Sequence, residues 1–346
     1  MAQEVLFDYD PLLYACGPLA EERFVKATNI HTGDAYEVAN RTAFYGHWKK
    51  KQGGLLAKMN EEAIKPLTAE DFTYEDVQEP TNVKWATNAL DAMIEKVLEK
   101  FGTNQYYGYV GKGKVFRHDL ATIVPYKDGR DNALKPLCID YLKQYLVKQH
   151  NAKIIETIEV DDQCTIDSVE AFAAWKKGER EALVTGAVDK DYRCGPIHMY
   201  NMNDETYDTI DGFGKLWIQS SVSASGAKKR EVKGCGRIWL VHQVLSGDDA
   251  DTYWANSACP EKPWGEMSSY NLLCNCTTDK EAFEALVQGY KTLYPEPKVI
   301  TGWRGNEIEV DWLYVAAENW SLAKMLKKPG EFVTLQSVLT KLGIKY

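Results

Sequence analysis

Three short apolar runs end on clustered carboxylates, and this pattern limits what the chain can fold into. Val5-Leu6-Phe7 runs into Asp8 and Asp10, the run from Lys153 to Val160 carries Glu159 into Asp161 and Asp162, and Ala182 to Val188 closes on Asp189 and Asp191. A parallel strand covered on both faces reads as a near-continuous apolar run, and the residue after it is delivered to the carboxyl edge of the sheet. Between these runs, Val83 to Phe101, Asn132 to His150 and Asp161 to Lys177 have helical spacing, and Tyr106 to Val110 adds a further strand. The alternation predicts an α/β fold whose central sheet is mostly parallel and flanked by helices.

Other stretches are read more coarsely. Glu21 to Pro80 is expected to hold a hairpin and a loop, with turns at Thr32-Gly33-Asp34 and Gln52-Gly53-Gly54. Leu216 to Val222 and Glu231 to Leu240 flank Ser223-Ala224-Ser225-Gly226 as a hairpin does. Beyond Gly247 the chain reads as a helical C-terminal region, with segments at Ser268 to Cys274, Lys280 to Leu293 and Trp312 to Met325 joined by prolines. The expected division is an α/β core over 1–246 and a mainly helical region over 247–346.

With 346 residues and 45% hydrophobic content the chain can bury a sizeable core. A net charge of -9 excludes a surface that binds nucleic acid everywhere, so any such contact is local. The eight cysteines include no Cys-x-x-Cys pair and are expected as reduced thiols. The first residues lack a basic lead and no apolar run reaches membrane length, so no membrane partner is expected and the predicted location is cytoplasmic.

A fourth acidic cluster, Asp248, Asp249 and Asp251, follows Gly247. Carboxyl ends of parallel strands share one edge, so clusters distant in sequence can converge there. Converging carboxylates raise one another's pKa unless cations lie between them. An oxygen-only donor set suits Mg²⁺ or Mn²⁺, and two such ions about 3.5–4 Å apart can drive phosphodiester hydrolysis. Taken singly, each cluster reads as well as a set of helix caps, Asp161 above all.

These motifs occur in a known order. Val5-Leu6-Phe7-Asp8, Val115-Phe116-Arg117, Pro125-Tyr126-Lys127-Asp128-Gly129-Arg130, Ile158-Glu159-Val160-Asp161-Asp162, Val188-Asp189-Lys190-Asp191 and Gly247-Asp248-Asp249-Ala250-Asp251 span Leu6 to about Leu273. The chain thereby resembles the bacteriophage 5′-to-3′ exonuclease and flap endonuclease family, which includes the 5′-nuclease domain of bacterial DNA polymerase I. The resemblance implies a 5′-nuclease/PIN-like core holding two or more Mg²⁺ or Mn²⁺ ions. In it, Asp8, Glu159, Asp161 and Asp189 serve mainly one metal position, and Asp162, Asp191, Asp248 and Asp251 complete a second or act through water. Tyr126, Lys127 and Arg130 match the family's Tyr-Lys-x-x-Arg segment, whose cations approach the scissile phosphate from a helical gateway, here around 112–150. The C-terminal region would complete the metal site and contact duplex DNA.

Local charge agrees with that gateway: Lys112 to Lys148 holds eight Lys or Arg against four Asp. Lys112, Lys114, Arg117 and Lys135 are the expected DNA contacts, although such a strip can equally be a solvated helix face. Tyr106, Tyr107, Tyr109 and Tyr126 could stack on bases or simply pack the core. The implied substrates are DNA with 5′ ends or flaps, with RNA–DNA hybrid as a further candidate, in phage DNA replication or primer removal. A PIN-type endoribonuclease and a non-catalytic branched-DNA binding protein are the alternatives.

The sequence departs from the family at four places. Val110-Gly111-Lys112-Gly113-Lys114 lacks the aspartate often found before Phe-Arg, Asp8-Tyr9-Asp10 replaces Asp-Gly, and Ala187 stands where a serine or threonine is usual. Thr252-Tyr253-Trp254-Ala255-Asn256 and Trp264 to Tyr270 replace the glycine-rich segment that grips duplex DNA in many members.

Overall fold

The computed structural model describes residues 4–46, 53–61, 64–129, 134–222, 226 and 228–346. Strand β1 (Glu4–Asp8) leads into α1 (Asp10–Cys16). Three strands follow, β2 (Glu21–Asn29), β3 (Ala35–Val38) and β4 (Phe72–Pro80), with α2 (Arg41–Tyr45) and α3 (Leu55–Glu61) between the last two. Next come α4 (Lys84–Phe101), β5 (Tyr106–Lys112), α5 (Arg117–Leu120), α6 (Ile139–Gln149), β6 (Lys153–Glu156), α7 (Val160–Lys176) and β7 (Leu183–Ala187). Strands β8 (Ile197–Asn201), β9 (Thr206–Ile210), β10 (Lys215–Val222) and β11 (Lys228–Cys235) precede α8 (Arg237–Ser246), α9 (Glu266–Leu273) and α10 (Asp279–Leu293). The hairpin β12 (Lys298–Thr301) and β13 (Glu307–Val310) separates these from α11 (Trp312–Ala323) and α12 (Leu335–Lys341).

The chain divides into two compact units. The larger comprises 1–11, 94–134 and 146–346, and the smaller 12–93 and 135–145. The larger unit is built on a six-stranded sheet of order β6-β5-β1-β7-β8-β9. All its pairings are parallel except β8 with β9. Val5, Leu6 and Phe7 are fully buried because β1 lies between β5 and β7 with both faces covered. The expected α/β class, with its mostly parallel sheet and helical C-terminal region, is what the chain forms. Helices α10 and α11 of that region and the preceding α8 bury Val244, Leu286, Tyr290, Val315 and Trp320 in one cluster. Tyr290 Oη donates to the Val244 carbonyl at 2.6 Å and accepts from Asn319 Nδ2 at 2.8 Å, so the polar groups of this core are satisfied.

The smaller unit is a three-stranded antiparallel sheet of order β3-β2-β4 around Ala27, Phe44 and Phe72. The expected hairpin is β2–β3, and the presumed loop holds α2, α3 and β4. Several boundaries also move. Helix α6 opens at Ile139 and not near 132, after Pro136. Strand β6 stops at Glu156 because Thr157 takes a left-handed conformation (φ +73°), and Val160 already begins α7. The expected strand to Leu240 ends at Cys235, where Gly236 (φ +79°) turns the chain into α8. The expected hairpin turn Ser223-Ala224-Ser225 lies outside the described residues, as does Gln52. All eight cysteines are free thiols. Among the described residues, no helix is long and apolar enough to cross a membrane.

Candidate metal centre

The parallel strands bring the first three acidic clusters to one edge of the sheet. Asp8 ends β1, Glu159 occupies the N-cap position of α7 shortly after β6, and Asp189 follows β7. The fourth cluster is placed by Gly247, whose φ of +90° ends α8. A Cβ there would lie 2.4 Å from the Tyr253 carbonyl oxygen, so only glycine allows the tight pairing of Asp248 with Tyr253 that follows.

These carboxylates form one connected network. Asp8 is within electrostatic reach of Asp10 and Asp189, and Asp191 within reach of Asp189, Asp248 and Asp251. The Tyr126 hydroxyl is 2.9 Å from Asp251 Oδ2 and 3.0 Å from Glu159 Oε2, joining the fourth cluster to the second. The Tyr192 hydroxyl donates to Asp8 Oδ2 at 3.0 Å and is within electrostatic reach of Asp161, which closes the ring.

Crowding shows in the protonation of the group. Burial, then the charge of Asp10, pushes the Asp8 carboxyl up to about 7. Asp161 is raised well above the usual carboxylate range by burial and then by Glu159 and Asp162, and Asp191 by burial and then Asp189. Glu159 goes the other way: burial opposes its charge, but Lys127 and Arg117 outweigh burial and hold it low.

Each predicted residue can now be placed. Lys127, its backbone at φ +58°, directs its ammonium onto Glu159 Oε1 and to 3.7 Å from Asp251 Oδ1. Tyr126 is 4% exposed, and burial followed by Glu159 and Asp251 raises its phenol far above the ordinary value. It is therefore a neutral phenol, its single proton shared between two neighbouring carboxylates, and not a group open to substrate. Arg130 lies outside the described residues. Asp189 is exposed and caps the short helical turn Lys190–Cys194 through the Asp191 N–H at 2.9 Å, so capping and site position coincide. Asp161, read as a possible N-cap, instead sits in the first turn of α7.

Arg117 is a correction. It was expected to contact DNA, but it is 1% exposed and its Nη1 and Nη2 hold both oxygens of Asp162 at 2.6 and 2.8 Å. Nη1 also reaches Glu159 at 2.9 Å, and Nε and Nη2 donate to the Leu322 and Lys324 carbonyls at 3.0 and 2.9 Å. Asp162, itself fully buried, also accepts the Leu326 N–H at 2.8 Å. Both Asp162 oxygens are engaged by the guanidinium, so Asp162 serves here as the buried counter-ion of Arg117, and one of its oxygens still lies beside those of Glu159 and Asp161. The other expected DNA contacts are exposed: Lys112 pairs with Glu156 at 3.2 Å, Lys114 pairs with Asp119, and Lys135 belongs to the smaller unit.

Two participants were given no role from the sequence, and a third, Asp10, was read with Asp8 in the first cluster but not assigned to the site. Lys190 pairs with Asp248 Oδ2 at 2.8 Å, Tyr192 holds Asp8, and Asp10 accepts the Gly111 N–H at 3.0 Å. The first two stand inside the Asp189-Lys190-Asp191-Tyr192 run, where a lone lysine and a tyrosine among acids were the available signal. The four tyrosines considered for base stacking are held otherwise, with Tyr107 and Tyr109 donating to Asp167 Oδ2 at 3.1 and 2.6 Å and Tyr106 beside His150.

The donor set fits a hard divalent cation. One oxygen each from Glu159, Asp161 and Asp162 lies within 4.8 Å of the others, and Asp8, Asp189, Asp191, Asp248 and Asp251 extend the acidic ring. The only cations found in this network among the described residues are Arg117, Lys127 and Lys190, so negative charge is in excess. Asp8, Glu159, Asp161, Asp189, Asp191, Asp248 and Asp251 remain as candidate ligands, all oxygen donors.

No family model matches the chain, and no curated protein matches it. Solved structures do resemble it. One is the T5 D15 protein co-crystallised with metal ions, at 12% identity over 60% of this chain and 79% of that one, with a TM-score of 0.37. A second is a variant of the bacteriophage T5 D15 flap endonuclease in a pseudo-enzyme-product complex with DNA and metal ions, at 11% identity over 68% and 90%, with a TM-score of 0.34. A third is a T5 5′-exonuclease mutant, at 10% identity over 68% and 92%, with a TM-score of 0.33. The second and third are named as a flap endonuclease and a 5′-exonuclease.

Proposed function

We propose that this chain is a divalent-metal-dependent nuclease that hydrolyses phosphodiester bonds at 5′ ends or flaps of DNA, in phage replication or primer removal. The observation that carries this reading is the ring of carboxylates from four distant clusters, tied to Lys127 through Glu159 and Asp251. Mg²⁺ or Mn²⁺ held by Asp8, Glu159, Asp161 and Asp189, with Asp191, Asp248 and Asp251 around a second position, would supply an activated water and a stabilised leaving oxygen.

The chain's own residues do the rest. Lys127 brings the one ammonium that bridges the second and fourth clusters, and it neutralises charge growing on the phosphate during in-line attack. Tyr126 is a positioning residue, since its hydroxyl keeps Glu159 and Asp251 at a fixed separation. Arg117 and Asp162 lock the N-terminal turn of α7, so the Glu159 and Asp161 carboxylates face the site without reorganising. Arg130 is assigned to the same phosphate by its place in the motif. Lys112, Lys114 and Lys135 are assigned to backbone phosphates as local cations in an acidic protein. In this reading, residues 112–150 form the gateway for a single strand, and 247–346 completes the acidic ring and contacts duplex, with RNA–DNA hybrid as a further substrate.

Cleavage of an end-labelled DNA flap tests the proposal. Mg²⁺ supports cleavage, excess chelator stops it and added Mg²⁺ restores it. Asp161→Asn and Asp189→Asn each lower the single-turnover rate by about a thousandfold or more while the fold is kept. Full activity in chelator, or rates within about tenfold of wild type for both variants, overturns the metal centre.

A further inference from the structure

A cavity of about 360 Å³ opens between the ends of α8, α10 and α11 and the last helix, α12. Its volume is at the lower end of the ~300–1,000 Å³ typical of ligand pockets. None of its lining residues belongs to the acidic ring. Charge within it runs opposite to the protein as a whole, which carries -9. Arg237, Lys324, Lys327 and Lys341 line it, and the single carboxylate among its lining residues, Asp279, is already taken by Arg237 Nε at 2.8 and 2.9 Å.

Two of these cations are poorly served. Among the described residues Lys324 Nζ donates to the Met325 carbonyl at 3.5 Å and Lys327 makes no hydrogen bond to a carboxylate, although Glu331 is within electrostatic reach of both and Asp279 of Lys327. Burial lowers both ammonium groups below the ordinary lysine value. An incoming carboxylate would offset that desolvation cost.

The floor is apolar but offers no stacking face. Phe283 and Trp320 are 6% and 4% exposed and pack edge to face on each other, 5.7 Å between centroids. The indole N–H is spent on the Val333 carbonyl at 2.7 Å. A nucleobase needs an open ring face, which favours an aliphatic or aromatic side chain inserted from above over a nucleotide.

We infer that this cavity is a docking site for an acidic peptide segment of another protein, one bulky apolar residue entering the floor while flanking carboxylates meet Lys324, Lys327, Lys341 and the free edge of Arg237. The match is one of charge and shape: a desolvated cationic rim around an apolar hole selects a ligand carrying both features side by side.

The test uses the full chain and a fluorescein-labelled peptide of sequence Asp-Glu-Asp-Leu-Phe, followed by anisotropy at about 50 mM salt. A dissociation constant of about 10–100 μM is expected. Replacing Leu-Phe by Ala-Ala, or Asp-Glu-Asp by Lys-Lys-Lys, should abolish saturable binding. Lys341→Glu, on the exposed side of α12, and Lys327→Gln should each weaken binding about fivefold or more. Circular dichroism checks their folding; should Lys327→Gln unfold, Lys341→Glu alone decides. Cleavage of a labelled single-stranded 5′ end, which has no duplex for residues 247–346 to contact, should be equal for Lys341→Glu and wild type, so this result and the nuclease reading fail separately. Absence of saturable binding to about 1 mM, binding indifferent to Lys341→Glu, or tighter displacement by an oligothymidine than by unlabelled peptide overturns the inference.

Discussion

Lys127 differs from the other cations of the site in where it is held. Its backbone is in the left-handed region and its ammonium rests between Glu159 and Asp251, stacked 5.0 Å from the Tyr126 ring. Lys127→Ala is expected to lower the saturated single-turnover rate by about ten- to a thousandfold, as loss of a single transition-state donor does. An unchanged saturated rate would remove Lys127 from the chemistry and leave the carboxylate ring standing. A second residue-scale prediction concerns stability. His242 is 1% exposed, bonded through Nδ1 to Ser269 Oγ at 2.8 Å, and burial followed by Lys190 lowers its pKa to about 3. In the unfolded chain this histidine takes up its proton near pH 6.5, so the unfolded state binds more protons between about 6.5 and 3. Stability should therefore fall as pH drops through that window, by at most about 1.4 kcal/mol per pH unit from this group. Urea titrations of wild type and His242→Gln between pH 7 and 4 check this; an equal pH slope in the two sinks it. The Lys127 role was read beforehand from its motif and the basic strip around it, whereas a lone histidine on an apolar helix carries no sign of its partner.

At the scale of elements, a buried clamp joins α5, α7 and the end of α11 with the segment after it. Arg117 and Asp162 are both buried, so removing one partner leaves an uncompensated charge. Arg117→Leu is expected to cost about 3–5 kcal/mol, whereas Arg117→Leu with Asp162→Leu should recover much of that loss. Chemical denaturation of the two variants decides it, and equal destabilisation would show that the pair is not coupled. The sequence showed β1, β5, β7 and α4 well because each is an unbroken periodic run. It showed β6 and β11 less well because their ends depend on single backbone conformations at Thr157 and Gly236, which periodicity does not report, and α6 less well because it opens only after Pro136. Arg117 was misplaced for a related reason: a basic residue in a basic strip reads as surface until its buried partner, 45 positions away, is known. Strands β8 and β9 and the β12–β13 hairpin were absent from the reading, since strands of four or five residues are too short to show a period even beside turn residues such as Gly305-Asn306.

At the scale of the molecule, the acidic ring sits in a unit assembled from three separate stretches of chain. The alternation of apolar runs made the parallel sheet legible, and the sheet in turn predicted which carboxylates meet. What periodicity could not supply was the far side of the ring, where Asp248 and Asp251 arrive through the Gly247 turn and not from a strand. The replaced segment Thr252 to Trp264 packs partly into the helical core, with Tyr253, Ala255 and Cys259 buried. We expect cleavage to depend less on downstream duplex than in related enzymes. Comparing a flap on duplex with the same single strand alone measures this, and a very large preference for the anchored flap would contradict it.

The clamp also bears on timing. Arg117 and Asp162 are made early in synthesis, but the Leu322 and Lys324 carbonyls and the Leu326 N–H that complete their coordination come some two hundred residues after Arg117. A nascent chain on the ribosome that has exposed the acidic clusters but not residues 322–326 lacks the support that locks the start of α7. The proposed metal centre would therefore take its final form only when this late segment docks.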